Sequence, residues 1–318
     1  MGGSILGAEA IFQFLKKKID KNIYFLDDLD EENINKLKKQ LMFKKTLFVV
    51  ISKSGNTIET LSNLFHLKIL KNKAKNIIVI SEKKNNVLYN LSKQYKLFYI
   101  EHKKHIGGRY SVLSEVGIVP AYLMGLDVIN FRKKIREFLK SENKTLLKEN
   151  TVKLANLIIR KKYSNQILLN YAPQLDKFLY WKQQLIAESL GKNGKGFLPV
   201  VSKAPKDHHS LLQLYLDGPK DKYFTFITTD HANEGMKINN EIFQNTSINY
   251  FQDKTMGDLM QAEQLATIET FKLNNFSFRE IYIPKIDEKN LGKLLSFSII
   301  ETIASCIYLD VDPFDQPA

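Results

Sequence analysis

The stretch SKSGNT, residues 52–57, has the residue types of a phosphate-binding loop. It follows an apolar, β-branched run (TLFVVI) and precedes a segment whose apolar residues have helical spacing. The hydroxyls of Ser52, Ser54 and Thr57 would then meet free backbone N–H groups at the positive end of a helix dipole, and Lys53 could add charge. An ordinary Ser/Thr helix cap would use the same residues. The position after a strand favours the ligand site, because ligands in open α/β sheets bind at the carboxyl ends of strands.

The segment GGRYS could bring a permanent positive charge to an anion. Gly107 and Gly108 would let the backbone approach a ligand, and Arg109 carries a rigid fork of donors. The alternative is a turn with a surface arginine. His102 and His105 precede this segment, but a histidine pair without a matching carboxylate is more typical of a solvated loop than of a metal site. We therefore expect no metal here.

A third group lies near the end of a predicted helix. Gln184 and Glu188 are four residues apart and so share one helix face, and Glu188 lies close to Gly191. A carboxylate there can face a cleft. The alternative is a surface glutamate near a helix C-terminus, where the helix dipole slightly disfavours it.

The segment DHHS, residues 207–210, combines a carboxylate with two histidines. Asp207 is expected to cap the following helix, and one histidine would be free to act as an acid or a base near neutral pH. A histidine at a helix start without a catalytic role is the other interpretation.

The elements that would position these residues alternate between strands and helices, which predicts an α/β fold with parallel sheets covered by helices on both faces. The predicted strands are 46–51, 76–80, 96–100, 166–170, 223–227 and 278–283. The predicted helices are 57–70, 175–190, 256–271 and 291–308.

A polar, lysine-rich stretch with helical periodicity separates two similar halves. We therefore predict a first domain over 1–130 that carries the phosphate loop, a helical connection over 131–162, and a second domain over 163–318 that is incomplete at its C-terminus.

Composition excludes several classes of protein. The 318 residues suffice for about two domains. A single cysteine, Cys306, excludes an intramolecular disulfide framework and a Cys-based zinc cluster, and the reducing cytoplasm is the expected compartment. The apolar stretch 294–309 is interrupted by Glu301, so no membrane span is predicted, and no signal peptide is expected. The net charge of +13 is spread along the chain, which favours an anionic metabolite over a nucleic acid as partner.

Six segments together resemble the phosphoglucose isomerase family in the same order and at similar spacing. They are GGS at 2–4, SKSGNT at 52–57, GGRYS at 107–111, AESLGK at 187–192, DHHS at 207–210 and PFDQ at 313–316. The resemblance covers essentially the whole chain. It implies two sugar-isomerase (SIS) domains, each a flavodoxin-like parallel sheet flanked by helices, which agrees with the α/β prediction.

The resemblance implies reversible isomerisation of glucose 6-phosphate and fructose 6-phosphate through a cis-enediol(ate), in glycolysis and gluconeogenesis, without metal or cofactor. It implies a homodimer with composite active sites. Glu188 would be the base, Arg109 would stabilise the enediolate, and His209 of the neighbouring subunit would help to open the sugar ring. The implied substrate-binding residues are Ser4, Ser52, Lys53, Ser54 and Thr57 for the phosphate, and Gly108, Gln184 and Gln316 for the sugar.

Two departures from the family pattern concern the ends of the chain. The family signature continues past FDQ through a Val-Glu pair to a lysine that helps to open the ring, and Ala318 precedes that lysine. Met1 stands directly before Gly-Gly-Ser, where the family has a longer region that includes a sheet strand. They predict a chain truncated at both ends, with weak folding and low activity.

Three other functions stay open at this stage. The first is a phosphoglucose/phosphomannose isomerase, which assays on both sugars would distinguish. The second is a non-catalytic SIS-type protein that binds sugar phosphates, which would keep residues 52–57 but has no reason to keep Glu188, Arg109 and His209 together. The third is an inactive relic, which would not unfold cooperatively.

Overall fold

Two parallel sheets form the framework of the protein. The computed structural model describes residues 2–132, 143–238 and 247–317. The first sheet has the order β1-β2-β3, with β1 at Phe48–Ile51, β2 at Ile77–Glu82 and β3 at Phe98–His102. The second has the order β5-β4-β6-β7, with β4 at Asn165–Asn170, β5 at Leu198–Lys203, β6 at Lys222–Thr229 and β7 at Phe278–Ile283. All neighbouring strands are parallel, which confirms the α/β prediction.

Helices connect and cover the strands. Their bounds are α1 Gly3–Leu15, α2 Glu31–Gln40, α3 Ile58–Leu67, α4 Val87–Gln94, α5 Glu115–Leu123, α6 Asn143–Ile159, α7 Asp176–Leu190, α8 Leu212–Asp217, α9 Met256–Leu273 and α10 Glu288–Tyr308. Polar side chains at several N-termini satisfy backbone N–H groups that have no partner inside the helix. In α9, for example, Thr255 and Asp258 form a reciprocal capping box.

The predicted strands and helices are confirmed, but several elements were not predicted. Strand β5 was missed because it contains Pro199, which lacks a backbone N–H; β5 is an edge strand, where proline is tolerated. Helix α1 was missed because it is apolar on most of its surface and shows no clear periodicity, as expected of a buried helix. Of the predicted connection 131–162, residues 133–142 lie outside the described residues, and α6 lies in the remainder.

The largest apolar core joins the two halves of the chain. Phe14 of α1 and Val112 pack in one cluster with Phe178 and Trp181 of α7 and with Leu295 of α10. All five side chains are fully buried. Burying each large apolar side chain contributes about 1.5–3 kcal/mol, so α1 is held firmly against α7. This packing fixes the start of α1 beside the end of α7.

Helix α10 has the length and hydropathy of a membrane-spanning helix, yet it packs in the core. Its most apolar window is 56% buried. Glu301 inside it is 2% exposed and accepts hydrogen bonds from the guanidinium of Arg279, while the ammonium of Lys182 lies 3.7 Å away. Burial disfavours the charge of Glu301, but these two cations outweigh burial and lower its pKa. The partners of Glu301 on β7 and α7 therefore hold α10 inside the core of the protein.

Candidate active site

The loop at 52–57 is built from contacts between its own hydroxyl and amide groups. The hydroxyl oxygens of Ser52 and Thr57 lie 2.7 Å apart, and the Gly55 N–H donates to Ser52 Oγ at 3.2 Å. Thr57 is the N-cap residue of α3, but its side chain makes no cap hydrogen bond. The ordinary-cap interpretation is therefore wrong. The Thr57 side chain leaves the first backbone N–H groups of α3 uncapped.

Glycine and asparagine set the shape of this loop. Gly55 has φ +71°, and a Cβ there would lie 1.9 Å from Asn86 Oδ1, so no larger residue fits. The Val87 N–H donates to Asn56 Oδ1 at 2.9 Å, which ties the loop to the start of α4. The ammonium of Lys53 lies 3.9 Å from the buried carboxylate of Glu82 and is one-third exposed. The loop thus presents hydroxyls, amides and a partly exposed cation together.

Arg109 is buried rather than on the surface, which excludes the surface-turn alternative. Its side chain is 3% exposed. Nε donates to Ser189 Oγ at 2.9 Å, and Nη1 donates to Glu188 Oε2 at 3.3 Å. Nη2 donates to the carbonyl oxygens of Pro313 at 2.6 Å and Asp315 at 2.8 Å. The guanidinium is therefore fixed in one orientation, with Nη1 directed at the Glu188 carboxylate.

Glu188 lies between this cation and an amide. Gln184, one turn earlier in α7, donates from Nε2 to Glu188 Oε1 at 2.7 Å. The Glu188 side chain is 26% exposed, so the carboxylate is held but can be reached. Gln184 Oε1 is buried and has no hydrogen-bond partner among the described residues. An unpaired buried acceptor is costly, and a hydroxyl group of a ligand could supply the missing donor.

The N-terminal segment packs against the same group of residues. A Cβ on Gly3 would lie 2.3 Å from the carbonyl carbon of Gly108, and the Ser111 hydroxyl donates to the Gly3 carbonyl oxygen at 3.2 Å. Ser4, half-buried, follows in the first turn of α1. The structure therefore brings the start of α1, with Ser4, together with Gly108 and Arg109.

A lysine that sequence reasoning left without a role holds the segment that carries Gln316. The ammonium of Lys192 donates to the carbonyl oxygens of Asp312 at 2.5 Å and Asp315 at 2.8 Å, and it also contacts the Asp315 carboxylate. Its side chain is only 7% exposed. Gln316 itself is exposed beside this clamp. In the sequence, the position of Lys192 just after Gly191 and close to Glu188 could have marked it as a residue of the site.

His209 and Asp207 make no hydrogen bond or ion pair with Arg109 or Glu188 among the described residues. Asp207 accepts hydrogen bonds from the Ser202 hydroxyl at 3.0 Å and from the Lys203 N–H at 2.8 Å. The expectation that Asp207 caps a helix is therefore wrong, because its carboxylate binds back to the end of β5. His209 is exposed, and in the described parts of the chain no hydrogen bond or ion pair joins it to Arg109 or Glu188. Its catalytic role stays a prediction.

The two histidines before the arginine segment differ. His105 is exposed, as expected of a loop, but His102 is 1% exposed, so the solvated-loop interpretation is wrong for it. Among residues 2–132, 143–238 and 247–317, no group of three or more His, Cys, Asp or Glu side chains could hold a metal ion.

Known proteins match the chain over its whole length. The family model described as phosphoglucose isomerase matches residues 1–317. A probable glucose-6-phosphate isomerase of Methanococcus maripaludis is 34% identical over 335 residues, which cover 100% of this chain and 74% of that protein. The glucose-6-phosphate isomerase of Methanocaldococcus jannaschii is 32% identical and is covered to 80%.

Solved structures have the same fold. A hypothetical protein from Thermus thermophilus superposes with a TM-score of 0.88 at 27% identity, covering 100% of this chain and 79% of that one. A glucose-6-phosphate isomerase from Chlamydia trachomatis superposes with a TM-score of 0.76 at 19% identity, covering 99% and 65%. Tagatose-6-phosphate ketose/aldose isomerase from Escherichia coli, with a TM-score of 0.56 at 11% identity, covers 100% and 82%. The predicted SIS-type fold is confirmed.

Proposed function

The chain belongs to the phosphoglucose isomerase family and interconverts glucose 6-phosphate and fructose 6-phosphate, and we propose that Glu188 and Arg109 form its reacting centre. The observation that carries this proposal is the contact of 3.3 Å between Arg109 Nη1 and Glu188 Oε2. Removal of a proton next to a carbonyl needs a base and a fixed positive charge for the oxygen that becomes negative. These two side chains supply both.

The reaction begins with opening of the sugar ring. His209 assists transfer of the O1 proton to the ring oxygen, so the bond between C1 and that oxygen breaks and C1 becomes an aldehyde. Glu188 then removes the C2 proton; the C–H electron pair forms the C1–C2 double bond, and the carbonyl pair moves to O1. Arg109 stabilises this enediolate. The O2 proton passes to O1, Glu188 returns its proton to C1, and C2 becomes the ketone.

The remaining residues hold the substrate. The hydroxyls of Ser52, Ser54 and Thr57 and the ammonium of Lys53 bind the phosphate at the start of α3, with Ser4 nearby. Gly108, Gln184 and Gln316 line the sugar. The buried Oε1 of Gln184, which lacks a partner among the described residues, supports this assignment because it can accept a hydrogen bond from a sugar hydroxyl.

A homodimer in the cytoplasm is part of the same proposal, with domains at 1–130 and 163–318 joined by 131–162. His209 would then act in the site of the neighbouring subunit. Its exposure supports this arrangement, and so does the lack of a hydrogen bond or ion pair to Arg109 or Glu188 among the described residues.

Replacement of Glu188 by glutamine tests the base. The amide keeps the size of the side chain and cannot take a proton, so exchange of the C2 proton of glucose 6-phosphate with solvent should fall about 10²- to 10⁴-fold. Binding of fructose 6-phosphate, measured by calorimetry, should persist. The control is Glu269→Gln, an exposed carboxylate on α9. Undiminished exchange in Glu188→Gln would assign the base elsewhere.

Mixed dimers test the position of His209. A Glu188→Gln variant and a His209→Ala variant are each expected to be nearly inactive on the cyclic sugar. Their mixture should recover about a quarter of the wild-type activity per total subunit after complete subunit exchange, because half of the dimers are mixed and each contains one intact site. If no activity returns after mass spectrometry confirms exchange, His209 acts within its own chain.

A further inference from the structure

We infer that His102 and Glu115 are positioning residues that fix the orientation of Arg109 through the backbone of the segment between them. His102 is the last residue of β3, and Glu115 is the first residue of α5. The segment 103–114 connects them and carries Arg109. The inference rests on the proposed role of Arg109 and adds a residue pair that touches no reacting atom.

One imidazole ring ties both sides of this segment together. His102 Nε2 donates to the carbonyl oxygen of Ile106 at 3.1 Å, since a carbonyl can only accept. His102 Nδ1 contacts Glu115 Oε1. Ile106 directly precedes Gly107, and Glu115 is where the chain enters α5. The ring is 0% exposed, so water does not reach its two nitrogens, while the Glu115 side chain is 20% exposed.

The segment needs such a restraint because Gly107 and Gly108 have no side chains to pack. On the far side, Trp181 Nε1 donates to the Arg109 carbonyl oxygen at 3.1 Å and so fixes the backbone at the arginine itself. Without His102 the backbone before the glycines would be free to shift relative to Trp181. A shift of about 1 Å between reacting groups can cost on the order of 100-fold in rate.

The same contacts explain why His102 differs from its neighbour. Both ring nitrogens of His102 already face protein oxygens, so the ring cannot bind a ligand without breaking them. His105, in the same segment, is exposed and makes no hydrogen bond or ion pair in the described parts of the chain. Replacement of His105 by alanine is therefore a matched control.

Variants of each residue test the pair. We expect His102→Ala and Glu115→Ala to lower kcat for fructose 6-phosphate about 10- to 100-fold and to change KM less than about 3-fold, because the phosphate loop follows a different strand. Glu115→Gln should keep kcat within about 3-fold of the wild type, since its amide can still hydrogen-bond to Nδ1. His105→Ala should keep wild-type kcat. Wild-type kcat in both alanine variants would overturn the inference.

A double-mutant cycle with Arg109→Ala separates positioning from a folding defect. If His102 acts through Arg109, then His102→Ala should change the residual rate of proton exchange less than about 2-fold in the Arg109→Ala background. An equal loss in both backgrounds would indicate a general structural effect and would overturn the inference. A wild-type rate in Arg109→Ala would instead show that the proposed role of Arg109 is wrong. Circular dichroism should show cooperative unfolding for every variant.

Discussion

The Arg109 centre and the proposed phosphate loop at 52–57 are built in opposite ways. The partners of Arg109 lie far away in the chain, with Ser189 at a separation of 80 residues and Pro313 at 204. The hydroxyl pair of the loop, Ser52 and Thr57, is separated by five residues. The guanidinium is nearly inaccessible, whereas parts of the loop are open to solvent.

This difference separates two tasks in the proposed mechanism. A charge that stabilises an enediolate must be held before the reaction, and burial with many fixed partners achieves that. A loop that captures a phosphate dianion from water must be accessible. Changes in the centre should therefore alter kcat and folding stability together, whereas changes in the loop should alter substrate affinity.

Among the changes that compare these two regions, replacement of Arg109 by alanine should have the largest effect. Loss of a preorganised positive charge should lower kcat about 10²- to 10³-fold. The carbonyl oxygens of Pro313 and Asp315 would lose their guanidinium donor, so the free energy of unfolding should also fall by about 3 kcal/mol. Steady-state kinetics and urea denaturation measure the two effects.

Arg160→Ala, at an exposed arginine, is the control and should change neither quantity. A wild-type free energy of unfolding in Arg109→Ala would show that the buried contacts of Arg109 do not stabilise the fold. The Arg109 centre and the loop would then not differ in their effect on stability.

Changes in the loop should have the second-largest effect. Ser54→Ala combined with Lys53→Gln removes a hydroxyl and a charge from positions that are exposed or partly exposed. Lost hydrogen bonds to a charged phosphate should raise KM about 10- to 100-fold. The free energy of unfolding should change by less than about 0.5 kcal/mol. Ser62→Ala, at an exposed serine of α3, is the control. A loss confined to kcat would contradict the division of tasks.

The smallest effect is expected for Lys192→Met. Methionine keeps the apolar volume of the lysine stem but releases the backbone at Asp312 and Asp315, so Gln316 and the Arg109 partners should become less ordered. We expect kcat to fall about 5- to 10-fold. Lys195→Met is the matched control, because that ammonium also binds a backbone carbonyl, at Leu309, away from Gln316. Equal losses in the two variants would show that the clamp has no special role.

Much of the fold could be predicted from local patterns. The buried strand 223–227 and the amphipathic helix at 57–70 are specified by the spacing of their own apolar residues, and both are confirmed. Local patterns failed to predict elements whose position in the tertiary structure allows an unusual sequence. An edge strand accepts Pro199, and a helix buried on most sides, such as α1, has no polar face to reveal its period.

The sequence by itself determined which side chains are present and which loops could hold them, because hydroxyls around a glycine and an arginine after two glycines are local features. Only the tertiary structure decided that Arg109 is buried against Glu188 and that Trp181 binds the Arg109 carbonyl oxygen. These outcomes depend on contacts between segments that are distant in the chain. Their formation requires the packing of α1 on α7, which no single segment encodes.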